Sequence, residues 1–150
     1  PIQSNKTKAI AEHFDWVHSV DRLKVAKRLN EQRPVHNSRL NICIQVNVDE
    51  EESKSGVLLT EVVALAKEIA LMPNLRLRGL MCIPNASLGE TSLRQAFLKM
   101  TACFDSLTVV YSDMDTLSMG MSGDIEVAID CGSTMVRVGS ALFGQRETTT

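Results

Sequence analysis

Between Leu117 and Gly144 the sequence LSMGMSGDIEVAIDCGSTMVRVGSALFG carries two groups of small residues, each placed after a short apolar run. In the first, Gly120 and Gly123 flank Met121-Ser122 just ahead of a helix predicted over about 124–131. Backbone N–H groups and the Ser122 hydroxyl can face an anion there. In the second, Gly139-Ser140 follows a short strand in the same way. Both loops are phosphate-sized, so phosphate is the first ligand to consider. Gly139 taken alone is also what a tight turn requires; the pairing of two such loops is what favours the anion. Arg137 stands between them. Val136 and Val138 point to one side of their strand and Met135, Arg137 and Gly139 to the other, which directs the guanidinium away from the helix layer. A charge inside a short buried strand needs an acceptor or an anion, and Asp124 or Asp130 could serve in a salt bridge instead.

The elements that must position these residues alternate in type. Helices are predicted over about 5–13, 21–31, 58–72, 91–110 and 124–131, with a short helical turn near 140–144. Strands are predicted at Trp16–Val20, Asn41–Val48, Leu75–Ile83, about 115–119 and about 134–138. In the second strand Ile42, Ile44, Val46 and Val48 share one face, while Asn41, Cys43, Gln45 and Asn47 share the other. One face meets helices and the other looks into something partly polar. Val62, Leu65, Ala66, Ile69 and Met72 form one helical stripe, and Leu93, Ala96, Phe97, Met100, Phe104 and Leu107 form another. No hairpin signal joins the strands, so the sheet is parallel. Taken by themselves, five strands in 150 residues suit a doubly wound sheet.

Composition sets the outer limits. The chain has 150 residues, 44% hydrophobic and 23% charged, with a net charge of −2, which fits one domain over 1–150. No apolar run approaches the roughly 18 residues that span a bilayer, and no signal segment opens the chain, so a cytoplasmic location is the expectation. The balanced charge points away from nucleic acid; Arg22, Lys24, Lys27 and Arg28 read as the solvated face of a helix. Cys43, Cys82, Cys103 and Cys131 show no CxxC pairing and read as free thiols, mostly buried. His13, His18 and His36 lack metal-ligand spacing, and the acidic run Asp49 to Glu52 lacks the alternating ligands of a cation loop.

The two small-residue loops, together with PIQSNK, AEHFDWVHSVDRL, NVDEEESKSG and LRLRGLMCIP, closely resemble the YggS/PROSC family of pyridoxal-phosphate homeostasis proteins. The resemblance runs from Pro1 to Arg146. It implies pyridoxal 5'-phosphate (PLP) as the cofactor and, as the fold, an incomplete PLP-binding (β/α)8 barrel of the alanine racemase N-terminal-domain class, with about five parallel strands. By the same resemblance Arg137 approaches the pyridine nitrogen, Ser122, Gly139 and Ser140 hold the phosphate, and Met81 packs against the ring; a strand methionine on its own would be core. The family's Schiff-base lysine lies on an early strand with no counterpart here, and Asn5-Lys6-Thr7-Lys8 belongs to a later motif. The chain thus reads as the C-terminal part of such a barrel, binding PLP non-covalently. Five strands of a barrel leave open edges, which implies further residues beyond these, a companion chain or self-association.

The implied function is to carry and buffer PLP inside the cell without turnover. A racemase-like enzyme of the same barrel class is the alternative; it needs a base, for which Lys54 at its strand end is the one candidate. A third reading is a degenerate fragment acting only through its edges. Tyr111, the single tyrosine, ends a long helix, and Cys131 has no neighbouring histidine to activate it, so no catalytic residue is assigned.

Overall fold

The computed structural model describes residues 1–51, 53–85 and 87–144. Strands and helices alternate: α1 Thr7–His13, β1 Trp16–Val20, α2 Leu23–Gln32, β2 Leu40–Val46, α3 Val62–Ala70, β3 Leu75–Cys82, α4 Glu90–Thr108, β4 Thr116–Met121, α5 Ile125–Asp130, β5 Met135–Arg137 and α6 Ser140–Phe143. A single 3₁₀ turn, Leu59–Glu61, leads into α3. The five strands are parallel and lie in sequence order, β1-β2-β3-β4-β5. A doubly wound sheet reverses direction at a switch point. Here every crossover steps the same way, and right-handed crossovers then put the helices on one face of the sheet. That is the winding of a barrel.

The helix-facing side is the core. Val62, Leu65, Ala66 and Ile69 of α3 are buried against the sheet, as are Ala96, Phe97, Met100, Phe104 and Leu107 of α4. Ile42, Ile44 and Val46 of β2, Leu75, Leu77 and Leu80 of β3, and Leu117 and Met119 of β4 complete the cluster.

The opposite side is concave, and two side-chain contacts show it. His18 Nδ1 on β1 lies 3.1 Å from Ser118 Oγ on β4, and Arg137 on β5 reaches the Cys82 carbonyl of β3 at 2.8 Å. In a flat sheet β1 and β4 would be about 14 Å apart, three strand spacings. Only a curled sheet lets His18 and Ser118 meet. Lower on the same face, Arg78 forms a bidentate pair with Asp115, donates to Asn41 Oδ1 at 3.0 Å and covers the Trp16 ring at 4.5 Å.

Three register shifts shape the strands, the first of them between Val17 and Val20 of β1, which pair with Ile42 and Ile44. Opposite Ile42-Cys43, β3 runs from Leu77 to Gly79, so Arg78 is an extra, bulged residue. Leu77 and Leu80 therefore both face the helices, and Met81, paired with Gln45 and Ser118, faces the concave side. Strict alternation would put Met81 with Leu77; the bulge reverses that. The third shift lies between Ser118 and Met121, around Gly120 at φ +100°.

Candidate functional site

Arg137 is the centre of the concave face. Its Nη1 donates to the Ser118 carbonyl at 3.0 Å and to Ser118 Oγ at 2.6 Å, and its Nη2 donates to the Cys82 carbonyl. The salt-bridge alternative is not how its charge is met. Asp124 accepts from the Met121 N–H, and Asp130 pairs with Arg94 at 3.4 Å. Burial pushes the Arg137 guanidinium below its usual pKa, and only neutral acceptors bond it directly. Among the described residues these contacts use three of its five N–H donors. The guanidinium is thus held in place with donor capacity left over.

The two small-residue loops meet at the same end of the sheet. Met121 pairs with Arg137 in register, so Ser122 and Gly139 follow from neighbouring strand positions. Gly139 is the N-cap of α6, and Ser140 is its first residue. A Cβ added at Gly123 or Gly139 would meet nothing within 4 Å, so open space lies beside both backbones. Gly120 has a different job: a Cβ there would sit 2.7 Å from the Ala128 Cβ, on the α5 side. It is a packing and bulge glycine, not part of an anion cradle. One amide of the first loop is also committed, since the Met121 N–H is bound by Asp124 Oδ1.

Met81 is buried on the concave face, level with Ser118. Beyond the strand ends, a cleft of about 520 Å³ opens between the β3–α4 and β4–α5 connections, with Pro84, Asn85, Leu88, Gly123 and Arg137 among its walls. Its β3–α4 wall is pinned to the β2–α3 loop. Asp49 Oδ2 accepts the Asn85 N–H at 2.6 Å, and Glu51 Oε2 accepts from Asn85 Nδ2 at 3.0 Å. Lys54 Nζ lies 3.6 Å from Asp49, 3.5 Å from Glu51 and 3.3 Å from the Ile83 carbonyl. Asp49 and Glu51 thus serve loop-to-loop contacts, and Lys54 is engaged among acceptors.

His18 and Ser118 are the residues that sequence reasoning passed over. Metal spacing was the wrong question for His18; the useful signal was its place in the alternation Trp16, His18 on the face that β1 turns away from Val17. Burial, and then the charge of Arg137, hold the His18 pKa below the ordinary histidine value. The four cysteines are free, with Cys43 and Cys82 pushed up to about 12 by burial. Among the described residues no helix is long and apolar enough to cross a membrane.

Comparison with known proteins bears on this geometry. The chain is 52% identical over 149 residues to the pyridoxal phosphate homeostasis protein of Pasteurella multocida and 50% identical over 147 residues to that of Escherichia coli. Each alignment takes in 98% of this chain, which spans 64% and 63% of the length of those relatives. PipY of Synechococcus elongatus, a structure with PLP bound, superposes with a TM-score of 0.84 at 30% identity, over 96% of this chain and 68% of that one. An alanine racemase from Clostridium difficile, at 16% identity and a TM-score of 0.74, shares the fold. Residues 1–147 match the family described as alanine racemase, N-terminal domain. A parallel, one-way-wound, curled sheet whose last strand presents an arginine to the concave face is therefore part of a PLP-type barrel, and the chain belongs to the alanine racemase N-terminal-domain family, beside its pyridoxal phosphate homeostasis proteins.

Proposed function

We propose that this chain binds PLP at the C-terminal end of β4 and β5 and serves to carry and buffer the cofactor in the cytoplasm, without turning over a substrate. The observation that carries the reading is Arg137, fixed on the concave face with spare donors and flanked by two loops in which Gly123 and Gly139 face open space. Those features fit PLP. Arg137 would meet the pyridine nitrogen, Met81 the ring, and Ser122, Gly139 and Ser140 the phosphate. When bound, PLP supplies an electron-accepting ring and a reactive aldehyde. A guanidinium can only donate, so Arg137 placed against the ring nitrogen would favour its unprotonated form and weaken the electron sink. That supports a carrier over a catalyst.

Lys54, the one base the racemase-like alternative could use, is engaged by Asp49, Glu51 and the Ile83 carbonyl, which supports the carrier reading. The names of the relatives and the bound PLP of PipY support the cofactor. The five strands are, on this reading, later strands of the family's barrel, and binding through this chain's own residues is non-covalent.

The test is a PLP titration followed by borohydride reduction and intact mass. The wild-type chain should bind without gaining a covalent adduct. Arg137→Ala and Ser122→Ala should each weaken binding by about 1–3 kcal/mol, the range for charge-assisted or buried hydrogen bonds. Unchanged affinity in both variants would remove the site, and an adduct on one of the seven lysines would restore the enzyme reading.

A further inference from the structure

The contact between β1 and β4 adds a residue to this site. Ser118 is fully buried, with one hydroxyl proton and two lone pairs to place. Arg137 Nη1 donates into that oxygen at 2.6 Å and cannot accept in return. His18 Nδ1, 3.1 Å away, is the acceptor that the hydroxyl proton can reach. With His18 neutral and its proton on Nε2, the three groups form one directed series: Arg137 donates to Ser118, and Ser118 donates to His18. With His18 protonated, both ring nitrogens become donors. Nδ1–H and Nη1–H then converge on one oxygen, two cations approach each other, and the hydroxyl proton loses its acceptor.

We infer that His18 is a positioning residue for Arg137: its neutral imidazole, acting through the Ser118 hydroxyl, holds the guanidinium in its ligand-facing orientation, and protonation of the imidazole releases that hold. The inference rests on the PLP reading of the site. It adds the regulation of that site by proton concentration.

The surroundings favour the neutral ring. From β2, Cys43 is a thiol held neutral by burial. From β3, Arg78 has its charge met by Asp115, and from β5 Arg137 is a cation. The tilted Trp16 ring, 5.7 Å away on β1 itself, supplies no charge. The groups around His18 thus offer it no carboxylate partner among the described residues. Burial and the Arg137 charge both lower its pKa.

Two measurements test this. The first needs no cofactor: the His18 ring is followed by NMR through a pH titration in the wild type and in Arg137→Gln. The series predicts an Nε2–H tautomer in the wild type and a titration midpoint that rises in the variant. An unmoved midpoint would overturn the coupling. The second compares PLP affinity from pH 8 to pH 5.5 in the wild type and His18→Phe, with Ser118→Ala standing in should the first variant not fold. The wild type should weaken by about tenfold as His18 titrates, as for loss of one hydrogen bond to a charged group. The variant should bind weakly at pH 8 and show only the pH dependence of PLP itself. Equal affinity and equal pH dependence would refute the positioning role. If the wild type fails to bind PLP at any pH, the carrier reading fails, while the NMR comparison still decides whether His18 and Arg137 are coupled.

Discussion

Arg33 and Arg137 are both cations drawn out of water, and their acceptors assign them different work. Arg33 is almost wholly buried and spends its donors on the carbonyls of Ala11, Phe14 and Ser38, with Asp15 at 3.4 Å. It ties the end of α1 to the start of β1 and β2, at the end of the sheet away from the loops. Arg137, half-buried, keeps donors for a ligand. Sequence alternation made Arg137 legible, since a cation between two valines in a short strand has few explanations. Arg33 sits after α2 in no periodic run, so nothing local marks it. His18 carries a testable consequence for stability. Its native pKa lies below the ordinary 6.5, so below that pH the unfolded chain takes up a proton that the folded chain refuses. Its contribution is complete above about pH 6.5 and is lost as pH falls from there toward the lowered native value. Urea midpoints measured from pH 7.5 to pH 5 should fall more steeply in the wild type than in His18→Phe; parallel curves would show that the ring titrates alike in both states.

At the scale of elements, every predicted strand and helix is present, with ends displaced by a few residues. The stripes of α3 and α4 and the alternation of β2 were strong enough to fix their buried faces. The bulge in β3 was not legible, because after LRLR the run GLMC has no polar residue to mark a face, and only pairing with β2 reveals the extra Arg78. The clue was Gly79. A Cβ at that position would collide with the Thr116 carbonyl oxygen of β4, so the two backbones approach where only glycine fits. Gly79→Ala should therefore cost about 3 kcal/mol or more, beyond ordinary overpacking, because the obstacle is backbone. Chemical denaturation would read this directly, and a loss under about 1 kcal/mol would mean that β3 and β4 can separate cheaply. The same bulge turns Met81 to the concave face, so its proposed place in the site depends on it.

For the whole molecule, the main fact is that the outer strands pair on one side only. Among the described residues β1 pairs with β2 alone and β5 with β4 alone. The outer face of β5 also exposes Val136 and Val138 at 36% and 38%, with Phe143 nearby at 86%. Unpaired strand groups beside exposed apolar side chains are a template for another strand. The 150-residue chain should therefore self-associate with rising concentration in sedimentation velocity, and Val138→Lys should reduce the effect. A monomer at all concentrations would show that the edges are shielded. The strand order has a further meaning for the newly made chain. Each strand pairs with the one just before it, so synthesis from the N-terminus can lay each unit onto a finished edge, with one helical crossover to close at each step. The links that skip strands, His18 to Ser118 and Arg137 to Cys82, cannot form until β4 and β5 have left the ribosome. On the proposed reading the ligand site would therefore mature late, and a nascent chain stalled before β5 would have β1 to β4 in place without Arg137 to meet the cofactor.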